Sequence, residues 1–276
     1  MHYFIYPSKD AWISSGSNAS TTGISEKDQN YGQDPVLELK KNFYNDSFDY
    51  PTRVLAHFNL NDISSSIFKG DIPSVMDDST KYFLRMYETE GTQELSTEYN
   101  LASFPVSESW DEGTGKFGDN PKVTNGVSWE NKNNYPGSTA VTWSHQDGVS
   151  FHGVSYISGS GYECSQSFSY ESPDINMDVT DIVNYWLVSG SKSNINNGFL
   201  LKFSGSQETD NQTFAQLKFF SKNTHTIYTP KLEVRWDDHV AASGSNTGSL
   251  SPINVTGTND NYLYVKQLRD SYKETE

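Results

Sequence analysis

A single cysteine, Cys164, in 276 residues excludes a disulfide framework within the chain and any zinc or iron–sulfur site built from several thiolates. Alone, Cys164 reads as a small apolar core residue. Positive charge is also scarce. Twenty Lys and Arg stand against 35 Asp and Glu, a net charge of −15. The resulting field repels phosphate backbones and anionic head groups, which argues against nucleic acid and membrane surfaces as partners. No apolar run approaches the roughly 18 residues that a membrane span requires. The segment Met1 to Asp10 has no basic stretch, no long apolar stretch and no small-residue cleavage site. It does not read as a secretory signal, and folding in a cytoplasm is expected. Catalytic signatures are missing too: there is no P-loop, no dinucleotide fingerprint, no His-Glu-x-x-His and no Gly-x-Ser-x-Gly elbow. The histidines His2, His57, His145, His152, His225 and His239 fall at no metal-ligand spacing. Ser144-His145-Gln146-Asp147 holds triad residue types, but a strand would point such neighbours to opposite faces. The expectation is a non-enzymatic chain with no catalytic, metal-ligating or cofactor-binding residues.

Aromatic rings are abundant. Seventeen Tyr, 15 Phe and 6 Trp make up 14% of a chain that is only 34% hydrophobic, a balance that suits thin β-layers better than helical bundles. Most of the sequence reads as short strands rich in β-branched and aromatic residues, separated by clusters of Gly, Asn, Ser and Asp. Val54, Ala56, Phe58 and Leu60 alternate, as do Leu37 and Leu39, each set marking one face of a strand. In Lys81 to Tyr87, Phe83 and Leu84 are too close to share a face. Further strands are expected over 139–143, 199–203, 215–220 and 231–236, and a long polar loop over 15–35. One segment has the helical period instead: Val179, Ile182, Val183, Trp186 and Leu187 form an apolar stripe, with Asp178 as N-cap, Asp181 in the first turn and Gly190 to end it. Such a helix is expected to plug one open end of a sandwich. The fold expected over residues 1–238 is therefore all-β, a jelly-roll-like antiparallel β-sandwich with one short helix. The Gly/Ser-rich run from Ala241 to Ser249 marks a flexible linker, residues 239–261. Residues 262–276 form a C-terminal extended arm or the start of a further β domain. Two strands alone are marginal, so Tyr262, Tyr264, Leu268 and Tyr272 are candidates for gripping a partner.

Five landmarks occur in a fixed order: Ala11-Trp12-Ile13 with Asn30-Tyr31-Gly32; Arg53-Val54-Leu55-Ala56-His57-Phe58-Asn59-Leu60; Trp110-Asp111-Glu112 with Gly126-Val127-Ser128-Trp129; Asp178-Val179-Thr180 with Trp186, Gly190 and Asn197-Gly198-Phe199; and Phe219-Phe220-Ser221 before Pro230-Lys231-Leu232-Glu233-Val234. In this order they resemble the DNRLRE-type β-sandwich, a domain related to alginate-targeting carbohydrate-binding modules, over about residues 8 to 236. Asn59 stands where that family has Asp. The likeness implies fold more than activity, because sites are grafted onto folds. A narrower likeness, in Leu217 to Pro230 with Tyr264-Val265-Lys266 and Tyr272-Lys273-Glu274, resembles virion structural proteins of contractile-tailed phages of marine cyanobacteria.

Two functions follow as expectations. The first is a virion structural protein, made in a host cytoplasm and carried in the tail, baseplate, neck or capsid surface. It would assemble with other virion proteins and with copies of itself. The second is a carbohydrate-binding module for a cell-surface polysaccharide, such as a host glycan, which would need exposed rings. Trp110, Trp129, Tyr135, Trp143 and Tyr156 are the candidates; Trp110 and Trp129 flank an acidic Gly-rich loop with Asp111, Glu112 and Asp119. The same rings read more readily as core residues, and a net charge of −15 opposes an acidic glycan unless a local basic groove or calcium intervenes.

Overall fold

The computed structural model describes residues 1–18, 24–41, 43–44, 47–48, 51–73, 79–89, 96, 98–144, 153–169, 174–187 and 195–236. The chain divides into two units, Met1–Asp237 and Asp238–Glu276. The linker and the arm residues Tyr262, Tyr264, Leu268 and Tyr272 lie outside the described residues. In chain order the elements are β1 (His2–Ile5), β2 (Pro7–Ser14), β3 (Ser17–Asn18), β4 (Ile24–Ser25), β5 (Val36–Lys41), β6 (Phe43–Tyr44), β7 (Ser47–Phe48), β8 (Thr52–Phe58), α1 (Asn61–Lys69), β9 (Lys81–Met86), β10 (Glu98–Pro105), β11 (Asn131–Asn133), β12 (Val141–Thr142), β13 (Cys164–Ser169), β14 (Ile175–Asp178), α2 (Thr180–Leu187), β15 (Phe199–Phe203), a 3-10 turn (Gly205–Glu208), β16 (Ala215–Phe220) and β17 (Lys231–Arg235).

The alternating strands pair antiparallel into a four-stranded sheet, β1-β17-β9-β14, and a five-stranded sheet, β13-β10-β15-β8-β2. The β16–β5 ladder joins the first sheet through a bridge between Glu88 and Phe219. Alternation decides what lies between the layers. Val54, Ala56 and Phe58 of β8 and Phe199, Leu201 and Phe203 of β15 meet Tyr82, Leu84 and Met86 of β9 and Leu232 and Val234 of β17 in one buried cluster. This is the all-β antiparallel sandwich that the strand pattern predicts. As its spacing requires, Leu84 points inward while Phe83 faces outward, half-buried.

The expected helix is α2, with Ile182, Val183 and Trp186 buried in the main core and Trp186 edge-on to Phe199 at 4.8 Å. Asp178 does receive the Thr180 N–H, at 2.9 Å; Gly190 lies outside the described residues. A second helix, α1, was not expected. Asn59 Oδ1 accepts the Asn61 N–H at 3.0 Å, Ile63 is buried, and Gly70 ends the helix in the left-handed conformation at φ 82°. The run Ser64-Ser65-Ser66 hid its apolar face, since serine is a poor helix former. The stretch 15–35 is not a plain loop: it contains the β3–β4 hairpin and then a buried node at Asn30. The Asn30 amide donates to the carbonyls of Glu112 and Val127, both at 2.7 Å, and its oxygen accepts from the N–H of Gly32 at 3.2 Å and Gly115 at 2.8 Å. The backbone of Glu112 passes so close to Gly32 that a Cβ there would overlap the Glu112 carbonyl. This explains the Asn-Tyr-Gly sequence physically, with Tyr31 stacked on Trp12 at 3.7 Å. The strand expected over 139–143 shrinks to Val141–Thr142, paired with β11.

Candidate functional site

The two sheets differ in what covers their outer faces. On the five-stranded sheet, Ala11, Ile13, Leu55, Ala102, Phe104 and Leu200 point away from the main core and are covered by Trp110, Val127, Trp129, Trp143 and Val154. These come from the covering segment, residues 107–163, whose described part has one small ladder, β11–β12. The tryptophans expected as sugar platforms are thus a second core: Trp110, Trp129 and Trp143 are 2%, 5% and 3% exposed. Trp110 Nε1 donates to the Asn197 carbonyl at 2.8 Å and Trp143 Nε1 to the Ser128 carbonyl at 3.0 Å. Tyr156 is half-buried with its ring 4.7 Å from Phe104. Tyr135 is 48% exposed, and the neighbouring Asp111 carboxylate raises its phenol pKa. The platform reading therefore fails for the three tryptophans, because an outer sheet face lined with Ile, Leu and Phe has to be kept from water and indoles are the residues available to do it. The acidic loop is engaged internally. Glu112 pairs with Lys222 at 2.8 Å, and Asp119 accepts the Lys116 N–H at 2.7 Å. Among the described residues there is no group of three or more His, Cys, Asp or Glu able to hold a metal. Burial pushes the Cys164 thiol up to about 12, consistent with a core residue. No described helix is long and apolar enough to cross a membrane.

The second core is fastened by charge. Arg53 of β8 and Lys202 of β15 point outward from the five-stranded sheet and converge on Glu208 in the 3-10 turn. Arg53 Nε and Nη2 bind the two carboxylate oxygens at 2.7 and 2.9 Å, and Lys202 Nζ binds at 2.9 Å. Arg53 also donates to the Gly153 carbonyl and lies over Trp129 at 4.6 Å. Burial pushes the Glu208 carboxyl up, but the two cations outweigh it and hold it below the usual range.

Among the described residues the four-stranded sheet has no such cover, and its outer face forms three cross-strand rows. The register places His2, Arg235 and Lys81 in one row and Phe4, Glu233, Phe83 and Asp178 in the next. Lys231, Arg85 and Asn176 form the third. Glu233 sits at the centre, buried. Its carboxylate receives Arg85 Nη1 and Arg235 Nη2, each at 2.8 Å, and lies 2.6 Å from His2 Nδ1. Burial alone would raise this carboxyl, yet the bonds from Arg235, Arg85 and His2 hold it at about 2. Arg235 lies over the Phe83 ring at 3.9 Å. Lys231 has no carboxylate partner among the described residues; instead the rings of Tyr87, Phe4 and Tyr6 surround it at 5.3, 5.8 and 5.9 Å. Tyr228, 48% exposed, extends this ring cluster edge-on to Tyr87 at 5.5 Å. Four cations, Lys81, Arg85, Lys231 and Arg235, share the face with two carboxylates, Glu233 and Asp178. The face is locally positive on a chain of net −15.

No single motif in the sequence announces this face. Its rings and cations come from three strands, β1, β9 and β17, and from residues beside them, scattered between His2 and Arg235. The available signal was period two: Phe83 and Arg85, and Lys231, Glu233 and Arg235, occupy the alternate positions that the core does not use. Compared with known families and curated proteins, the chain matches no protein-family model and no curated protein.

Proposed function

We propose that the chain works by contact and not by catalysis, as a non-enzymatic virion structural protein whose sandwich is a rigid unit docking other subunits through the open face of the four-stranded sheet. The observation that supports this most is the composition of that face. Tyr, Phe and Arg are the residues that concentrate binding energy at protein interfaces, and here no described residue covers them, while the opposite sheet is sealed by a second core. The virion setting rests on the sequence likeness of residues 217–230. The test is incorporation: particles assembled with Lys231→Glu/Arg85→Glu should contain at least tenfold less of the protein than wild type. Equal incorporation, or full-length protein that never co-purifies with particles, refutes the reading.

A second reading is favoured by one detail of the same face. The Lys231 ammonium, walled by three rings, provides both the aromatic surface on which a sugar ring stacks and a cation for a carboxylate or sulfate substituent. This is the local basic groove that an acidic glycan would require of an acidic protein. Affinity electrophoresis through uronate-rich and neutral polysaccharide gels tests it: retardation in the acidic gel lost in Lys231→Glu supports it, and equal mobility of both proteins in all gels eliminates it.

A further inference from the structure

The edge of this sheet, distinct from its face, supports an inference that deepens the assembly reading and rests on it for biological setting only. Among the described residues β1 is an edge strand, with β17 as its partner. Met1 and Trp236 exchange both backbone bonds, at 2.7 and 3.2 Å. Such pairs alternate along an antiparallel ladder, so in the observed register Tyr3 and Ile5 turn their backbone groups toward β17. The N–H and C=O of His2 and Phe4 point off the sheet, and no described residue outside it bonds to them. Sheets normally blunt such an edge with charge, proline or a bulge. Met1-His2-Tyr3-Phe4-Ile5-Tyr6 has no Lys, Arg, carboxylate or proline, and it exposes Met1 (59%), Tyr3 (37%), Phe4 (43%) and Tyr6 (57%).

We propose that β1 pairs antiparallel with β1 of a second copy, joining two four-stranded sheets into one eight-stranded sheet across a two-fold axis. The free groups select the register. Pairing His2 with Phe4 of the second copy, and Phe4 with His2 of the second copy, uses every outward N–H and C=O of these residues and makes four backbone hydrogen bonds. Tyr3 then faces its own counterpart on the axis, as an isologous contact requires. Charge is compatible as well. Residues 1–9 contain no carboxylate although the chain has 35, and the His2 imidazole, held by Glu233, lies beside the electron-rich ring of Phe4 of the second copy. The four exposed side chains offer on the order of 400 Å² per copy, about half of the ~800 Å² per partner in a standard interface. The pairing is therefore weak in dilute solution and populated at the high local concentration of an assembly.

Crosslinking of the full chain tests this. The Cα atoms of a non-hydrogen-bonded antiparallel pair lie about 4.5 Å apart, within disulfide reach, and Cys164 is buried and adds no background. Under mild oxidation Tyr3→Cys should form disulfide dimer at least tenfold faster than Lys69→Cys, an exposed control on α1, and adding Phe4→Lys to Tyr3→Cys should abolish the difference. In wild type, the Phe4 amide should exchange freely when dilute and become protected as concentration rises. Equal crosslinking of the two cysteine variants overturns the proposal. So does a Phe4 amide that is already protected in dilute solution, which would mean that the edge is covered within one chain. These readouts leave Lys231 and Arg85 untouched, so failure here is distinguishable from failure of the assembly reading.

Discussion

Neutralising Glu208 by Glu208→Gln should unfold the second core far more readily than neutralising one of its partners. The wild-type cluster holds two cations and one carboxylate, all largely buried, with Arg53 gripping both carboxylate oxygens and Lys202 sharing one. Removing the anion leaves two desolvated cations facing a neutral amide. A buried charge stripped of its partner costs about 3–5 kcal/mol, which in a domain of this size lowers Tm by roughly 6–20 °C. Lys202→Met should behave oppositely. It leaves the bidentate Arg53–Glu208 pair charge-balanced, and the thioether keeps the contacts with Phe104 and Tyr156, whose rings lie 5.6 and 5.8 Å from the ammonium. Its expected cost is below about 1 kcal/mol, because a well-packed apolar replacement of a buried ion is often neutral. The double variant Glu208→Gln/Lys202→Met should recover part of the loss from Glu208→Gln. Urea titration followed by tryptophan fluorescence is the assay, since Trp129 lies under Arg53. The reasoning is refuted if Glu208→Gln stays within about 1 kcal/mol of wild type or if Lys202→Met costs as much as Glu208→Gln.

Variants at two further sites probe the joints of the fold. Burial raises the Asp10 carboxyl to about 7, against the Lys222 N–H bond that lowers it, while one of its oxygens has no partner. The unfolded value is near 3.9, so the folded state binds the proton more tightly. Stability associated with this group is fully present below pH ~4 and is lost as pH rises through ~7, by about 4 kcal/mol at most. Asp10→Asn should thus raise the urea midpoint at pH 8 and change it much less at pH 4; parallel pH profiles for the two proteins would exclude this. Asn30→Ala strands two carbonyls and two N–H groups and should cost roughly 3–5 kcal/mol in chemical denaturation. The isosteric Asn30→Asp should be no milder at neutral pH, because it points a carboxylate at the carbonyls of Glu112 and Val127; wild-type stability in either variant would contradict the node.

Sequence period made the layers legible and left their functions hidden. Val54, Ala56 and Phe58, or Leu232 and Val234, declare an inward face on their own, because period two is a property of one strand. Residues whose environment depends on several segments gave no such sign. Trp110, Trp129 and Trp143 sit among Gly, Asn and Ser, a composition that suggests display on loops. The structure shows that those loops lie over a sheet face whose apolar lining belongs to strands far away in sequence. The open face was invisible for the same reason in reverse: Phe4, Phe83, Arg85 and Lys231 become neighbours only through β1-β17-β9 pairing. Helix α2 was readable from its stripe, whereas α1 was masked by three serines. The Asn30 node was legible as a turn but not as a junction, since its partners lie 82 to 97 residues away.

The described part of the covering segment has little backbone ladder of its own and is fastened to the sandwich through indole rings, the Asn30 amide, the Arg53 guanidinium, the Glu112–Lys222 and Asp28–Lys122 ion pairs and scattered backbone bonds. Its hold is therefore a set of scattered fixings and not a continuous ladder, and this shell should open before the strands beneath come apart. That makes the two sides of the molecule unequal in durability: a protease or a mild denaturant meets a detachable shell on one side and a continuous hydrogen-bonded sheet on the other. A particle that lined up many copies with the sheet side inward would have its sturdier surface at the joints and its expendable one toward the medium.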